Sequence, residues 1–128
     1  VTRQSTEWTA IDDQCVARAL SFIRFNAADP QLRIADVART IGLSRRAAEI
    51  RFRNATGRTL REEIEHVRLE RLRALLLESD ARIGDLARRC GFDCQTHVGR
   101  IFRARFGTTM GQFRAAGARR AEAPFGHA

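Results

Sequence analysis

Apolar residues recur along this chain at helical spacing. From Asp13 to Phe25, Val16, Ala19, Leu20 and Ile23 share one face, which predicts a helix. Asp12 or Asp13 can cap its start, and Asp29-Pro30 ends the connection behind it. Two short helices follow, split by Gly42. The pattern from Leu60 to Glu78 predicts one long helix. Thr59, three residues before Glu62, reads as a capping box, and Gly57 suits the close of the preceding helix. After Asp80 come two more short helices split by Gly91, then a last one from Met110 to Ala115. From Gly117 onward the residues are small, polar and basic (Arg119, Arg120, Pro124, Gly126), which predicts a frayed tail. No alternating run rich in Val, Ile and Thr appears, so the expected fold class is all-α.

The chain repeats itself. Ile34-Ala35-Asp36-Val37-Ala38-Arg39 stands beside Ile83-Gly84-Asp85-Leu86-Ala87-Arg88, and Gly42 beside Gly91 at the same offset. Phe52-Arg53 then pairs with Phe102-Arg103 and Gly57 with Gly107, so one residue has been added between the second glycine and its phenylalanine. Each copy is a short helix, a glycine turn and a second helix, which is the pattern of a helix-turn-helix. Ile34, Val37 and Ala38 make a buried stripe, and the alanines at 38 and 87 let the second helix cross closely. Leu43 and Phe92 plug the corners. Ser44 is a good cap for the next helix; Cys94 is a poor one, and Asp93 beside it is expected to serve instead.

Charge then suggests a partner. The 128 residues carry 23 basic against 15 acidic side chains, a formal +8, and every basic residue is arginine. A genome that writes Arg wherever Lys would serve accounts for the missing lysines but not for the clustering. Arg45, Arg46, Arg51, Arg53 and Arg58 face only Glu49 in their stretch. Arg88, Arg89, Arg100, Arg103 and Arg105 face only Asp93, and Glu62, Glu63, Glu65 and Glu70 lie between the two groups. Arginine offers a planar fork that fits phosphate and the guanine edge, so double-stranded DNA is the expected partner.

A helix in the major groove reads bases through its N-terminal residues. The outward candidates in the first copy are Arg45, Arg46, Glu49 and Ile50, with Ala48 and Phe52 turned inward. In the second they are Gln95, Thr96, His97 and Arg100, with Val98 and Phe102 inward. Arg suits guanine, Gln adenine, Glu cytosine, and Thr the thymine methyl. Ser44, Arg53, Arg58, Arg103 and Arg105 are candidates for phosphate.

These residues resemble the DNA-binding domain of AraC-type transcriptional regulators over about Val16 to Arg114. The motif is Ile34-x2-Val37-Ala38-x3-Gly42-x-Ser44, Phe52, Gly57, Thr59, Arg68-Leu69, Leu75-Leu76, then Ile83-x2-Leu86-Ala87-x3-Gly91-Phe92, Phe102, Gly107 and Phe113-Arg114. The resemblance implies about seven helices forming two helix-turn-helix subdomains joined by one long helix. The expected layout is a linker over 1–11, a first subdomain over 12–57, the joining helix over 58–79, a second subdomain over 80–116 and a disordered tail over 117–128. The opening Val1-Thr2-Arg3-Gln4-Ser5-Thr6 is similar to the junction after the sugar-sensing domain of xylose-type members. A small-molecule effector would act only through that missing N-terminal domain, and RNA polymerase is a further partner that the family implies. The chain departs from the pattern at Ala48 (usually Leu), Ile50 (often Arg), Leu72 (often Ala) and Met110 (often Pro), so the first reading helix is expected to pack more loosely and read less. A joining helix of about 20 residues spans roughly 30 Å, close to the roughly 34 Å between successive major grooves.

Other chemistry finds little support. Cys90-x3-Cys94-x2-His97 matches no common zinc spacing, and Cys90 occupies the place of Ile41, so the expectation is a core residue and no metal. No phosphate-binding glycine loop or nucleophile elbow is present, and the reading is of a non-enzyme without cofactor. Glu62, Glu63 and Glu65 read as a solvated helix start. No apolar run reaches the roughly 18 residues a membrane span needs, no leader opens the chain, and three cysteines do not suggest a disulfide scaffold, so the expected compartment is the cytoplasm. Val1 in place of Met suggests a processed chain or a fragment. The alternatives are a helical protein-interaction module and a non-specific DNA-binding protein.

Overall fold

The computed structural model describes the backbone of residues 2–122 and the side chains of residues 14–119. Among the described residues there are seven helices and no strand: α1 (Thr2–Asn26), α2 (Ile34–Thr40), α3 (Arg45–Thr56), α4 (Leu60–Glu78), α5 (Ile83–Arg89), α6 (Gln95–Phe106) and α7 (Met110–Glu122). The chain divides into two units, residues 1–67 and 68–128, and the boundary falls inside α4.

In the first unit α1 packs on α2 and α3. Val16, Ala19 and Ile23 bury one face of α1 against Val37, Ala38, Ala48 and Phe52, and Leu60 and Ile64 of α4 close the core. Leu43 is partly buried against it, at the corner where it was expected. Thr59 and Glu62 cap α4 reciprocally: the Thr59 amide donates to Glu62 Oε1 at 2.8 Å and the Glu62 amide to Thr59 Oγ1 at 3.1 Å.

The second unit has its own core of Leu69, Leu72, Leu76, Leu86, Ala87, Cys90, Phe92, Val98, Phe102 and Met110. Phe102 touches Phe106 and Phe113, with ring centroids at 4.6 and 5.8 Å. Arg114 holds the end of α4. Its Nε donates to the carbonyl of Leu76, and its Nη2 donates to those of Ser79 and Ala81 at 2.9 and 2.6 Å. A cation thus satisfies carbonyls that a helix end leaves open.

Three expectations need correction. The opening helix begins at Thr2, not Asp13, so most of the stretch expected to be a linker is helical and Asp12 and Asp13 lie inside a helix instead of capping one. Residues 2–11 contain neither Gly nor Pro, so nothing in them stops a helix. The last helix runs past Ala115 to Glu122, through half of the expected tail. The alanines and arginines there are good helix formers, and Gly117 is the point where α7 meets Leu77: a Cβ there would collide with Leu77 Cδ2. Residues 123–128 lie outside the described residues. Glu63, read as solvated, is 5% exposed, because it lies on the α4 face that Leu60 and Ile64 bury.

Candidate nucleic-acid interface

Each unit builds one corner in the same way. The amides of Leu43 and Phe92 donate to the carbonyls of Ala38 and Ala87. Gly42 and Gly91 sit in the turn at φ +74 and +103, a backbone that side chains other than glycine rarely adopt. The added residue of the second copy is Asp93, since Phe92 keeps the offset of Leu43 while Cys94 and Ser44 occupy equivalent N-caps. Ser44 Oγ accepts from the Ala47 amide at 3.1 Å. Cys94 gives no side-chain cap. The cap expected from Asp93 is not formed among the described residues, and Asp93 is exposed.

From these caps onward α3 and α6 are in register. Both have 12 residues, and both end on a glycine in the left-handed region, Gly57 and Gly107. Ala48 and Phe52 are buried on α3, and Val98 and Phe102 on α6, as their spacing predicts. The opposite faces are open. Arg45, Arg46, Ile50 and Arg53 are exposed on α3, with Glu49 half-buried. Gln95, Thr96, His97, Arg100, Arg103 and Arg105 are exposed on α6. Spacing of four and three gathers Arg46, Ile50 and Arg53 into one stripe, and Thr96, Arg100 and Arg103 into its counterpart.

The other candidates are arranged less simply. Ser44 is exposed, but its hydroxyl is engaged as the α3 cap. Gln95 rests its Oε1 beside Gly84, where a Cβ would come within 2.8 Å. Arg58 brings Nη2 to 3.0 Å from Glu63 Oε1, with 41% of its own side chain exposed and 6% of its partner's. That oxygen accepts no aligned hydrogen bond, so the attraction is coulombic. The charge pattern alone did not reveal this pair, but the repeat held a signal. Fifty residues on, Thr108 and Phe113 stand where Arg58 and Glu63 stand, which marks position 63 as a core site. The same offset carries Thr59 and Glu62 to Thr109 and Gln112, a second capping box with bonds of 3.2 and 3.1 Å that the sequence reading missed.

Other features place limits on the chemistry. The ion pairs Arg39–Asp36, Arg73–Glu70 and Arg88–Asp85 are surface pairs three residues apart on α2, α4 and α5 and contribute little. Cys90 is buried in the second core, and burial pushes its thiol above the ordinary value; Cys94 and His97 are exposed. Beside α6, Gly99, Ala104 and Gly111 leave a groove of ≈ 660 Å³ with Arg100 and Arg103 on its lining. Among the described residues no helix is long and apolar enough to cross a membrane.

Two duplicated corners, each raising an in-register helix with a polar and basic outer face, define a DNA-binding domain of the helix-turn-helix class. A family model described as a helix-turn-helix domain matches residues 37–116, and the chain belongs to that family, in its AraC-type branch. It is similar to the xylose operon regulatory protein of Escherichia coli (strain K12), at 28% identity over 114 residues, 89% of this chain and 29% of that protein. The chain thus spans less than a third of that relative's length. Its fold matches a transcriptional regulator with an AraC-type DNA-binding domain from Chromobacterium violaceum, at TM-score 0.76 and 28% identity over 85% of this chain and 96% of that one. The DNA-binding domain of AdpA, a global transcriptional factor solved in complex with a target DNA, matches with the same TM-score, identity and coverage.

Proposed function

We propose that this chain is the DNA-reading part of a promoter regulator and contacts two adjacent major-groove segments of one duplex, one through α3 and one through α6. The observation that carries this reading is the pair of exposed stripes at equal register, Arg46–Ile50–Arg53 and Thr96–Arg100–Arg103. Arg45, Arg46, Glu49 and Ile50 would meet base edges in one segment, and Gln95, Thr96, His97 and Arg100 in the other. Arg53, Arg103 and Arg105 lie later on their helices and suit phosphate, as does the exposed part of Arg58. Ser44 supports the site as a cap. The likeness to a xylose regulator supports a sugar-catabolic promoter, an effector bound outside this chain, and RNA polymerase as the partner downstream. In this reading the protein acts in the cytoplasm, by binding alone and without catalysis.

Competition between a duplex selected from a random pool and random DNA tests the reading. Arg100→Ala is expected to weaken the selected duplex about tenfold or more and random DNA little. Arg103→Ala is expected to weaken both alike and to lower the salt slope by about 1. Equal loss on every sequence from both changes would refute the assignment of Arg100. Absence of any preferred sequence would favour a non-specific binder.

A further inference from the structure

We infer that Ile50 sets the specificity of the first half-site and that it recognises the 5-methyl group of thymine. The inference rests on the proposed reading of α3 as a base-reading helix. Ile50 is 51% exposed, while Ile23, Ile41 and Ile64 of the same unit are 0%, 8% and 6% exposed. It occupies, fifty residues earlier, the position that Arg100 holds on α6. Arg46 one turn before it and Arg53 one turn after it are also exposed. An apolar protein surface seated here would meet both cations, whereas DNA offers Arg46 a base edge and Arg53 a phosphate. Isoleucine has neither donor nor acceptor. The base-edge group in the major groove that it complements best is the thymine methyl: cytosine has only a C–H at that place, and the remaining recognition groups are hydrogen-bonding nitrogens and oxygens. The two units would then read differently through one register position, thymine by contact in the first and guanine by a charged fork in the second.

The test starts from the duplex that the wild-type chain selects from a random pool. Each thymine in it is replaced singly by deoxyuridine, which deletes only the methyl group. One such replacement is expected to weaken wild-type binding about fourfold, the value of one buried methyl-sized group. The same replacement is expected to cost Ile50→Ala nothing. A fresh selection with Ile50→Arg is expected to return guanine at that base pair. Thermal denaturation of both variants should match wild type, because the side chain is exposed. If every uracil affects wild type and Ile50→Ala alike, or none affects either, the inference about Ile50 falls while sequence-specific binding stands. If the pool yields no preferred duplex, the underlying reading falls first and this inference with it.

Discussion

Replacing Arg58 with Thr would leave a carboxylate buried in the first core without its counter-charge. The Glu63 side chain is 6% exposed, and Arg58 Nη2 lies 3.0 Å from its Oε1. Removing one partner of a fully buried pair costs about 3–5 kcal/mol. Arg58 is 41% exposed, so solvent already screens this pair and the expected loss is nearer about 2 kcal/mol. The second unit shows how the same place is filled without charge. Thr108 and Phe113 stand there, and the Phe113 ring meets Phe102 edge-on at 5.8 Å. Phe52 corresponds to Phe102, so Glu63→Phe would give it an aromatic neighbour. The double variant Arg58→Thr, Glu63→Phe is therefore expected to recover all but about 1 kcal/mol. Urea denaturation of wild type, both single variants and the double variant completes the cycle. A wild-type midpoint for Arg58→Thr would show that the pair adds nothing to stability. A double variant as weak as Arg58→Thr would refute the correspondence between the two units.

Two smaller changes test the caps. The Thr59 amide, aided by the Thr59 hydroxyl and by Arg53 and Arg58, holds the Glu62 carboxyl below its ordinary value of 4.5, against a smaller opposing effect of desolvation. An acid depressed in this way contributes stability at neutral pH and loses it as pH falls, so wild type should lose more stability than Glu62→Gln between about pH 5 and pH 3; parallel melting curves at the two pH values would refute this. On α6, Cys94→Ser should recreate the cap that Ser44 forms on α3, raising stability by about 1 kcal/mol in thermal denaturation, and an unchanged midpoint would show that the longer turn at Asp93 prevents it.

The inward residues were legible because burial follows period. Ala48, Phe52, Val98 and Phe102 lie at helical spacing from their neighbours, and each is buried. The apolar positions of α4 divide by the same period: Leu60, Ile64 and Val67 join the first core, and Leu69, Leu72, Leu75 and Leu76 the second. Glu63 was not legible from polarity, since its charge argued for water while its position argued for the core, and position prevailed because Arg58 stands beside it. Gly117 misled for a related reason. Glycine is a weak helix former, but here its missing side chain makes room for Leu77, so the residue at which the frayed tail was expected to begin is a contact point.

The repeat extends further than its corner motif. Val16, Ala19 and Ile23 are buried on α1 at spacings of three and four, and Leu69, Leu72 and Leu76 are buried on α4 at the same spacings. The start of α4 meanwhile matches the start of α7, with capping boxes at Thr59–Glu62 and Thr109–Gln112. One helix therefore does two jobs, closing the first unit with its N-terminal half and opening the second with its C-terminal half. The boundary between residues 67 and 68 falls where one job gives way to the other. The buried frames of the two units follow one plan with different fillings, Ala48 against Val98 and Thr56 against Phe106, and their outer faces differ as well: Arg45 against Gln95, Arg46 against Thr96, Ile50 against Arg100. Differences on an outer face alter what a helix can contact without altering how it is held, which suits the proposed reading of a different DNA segment by each unit.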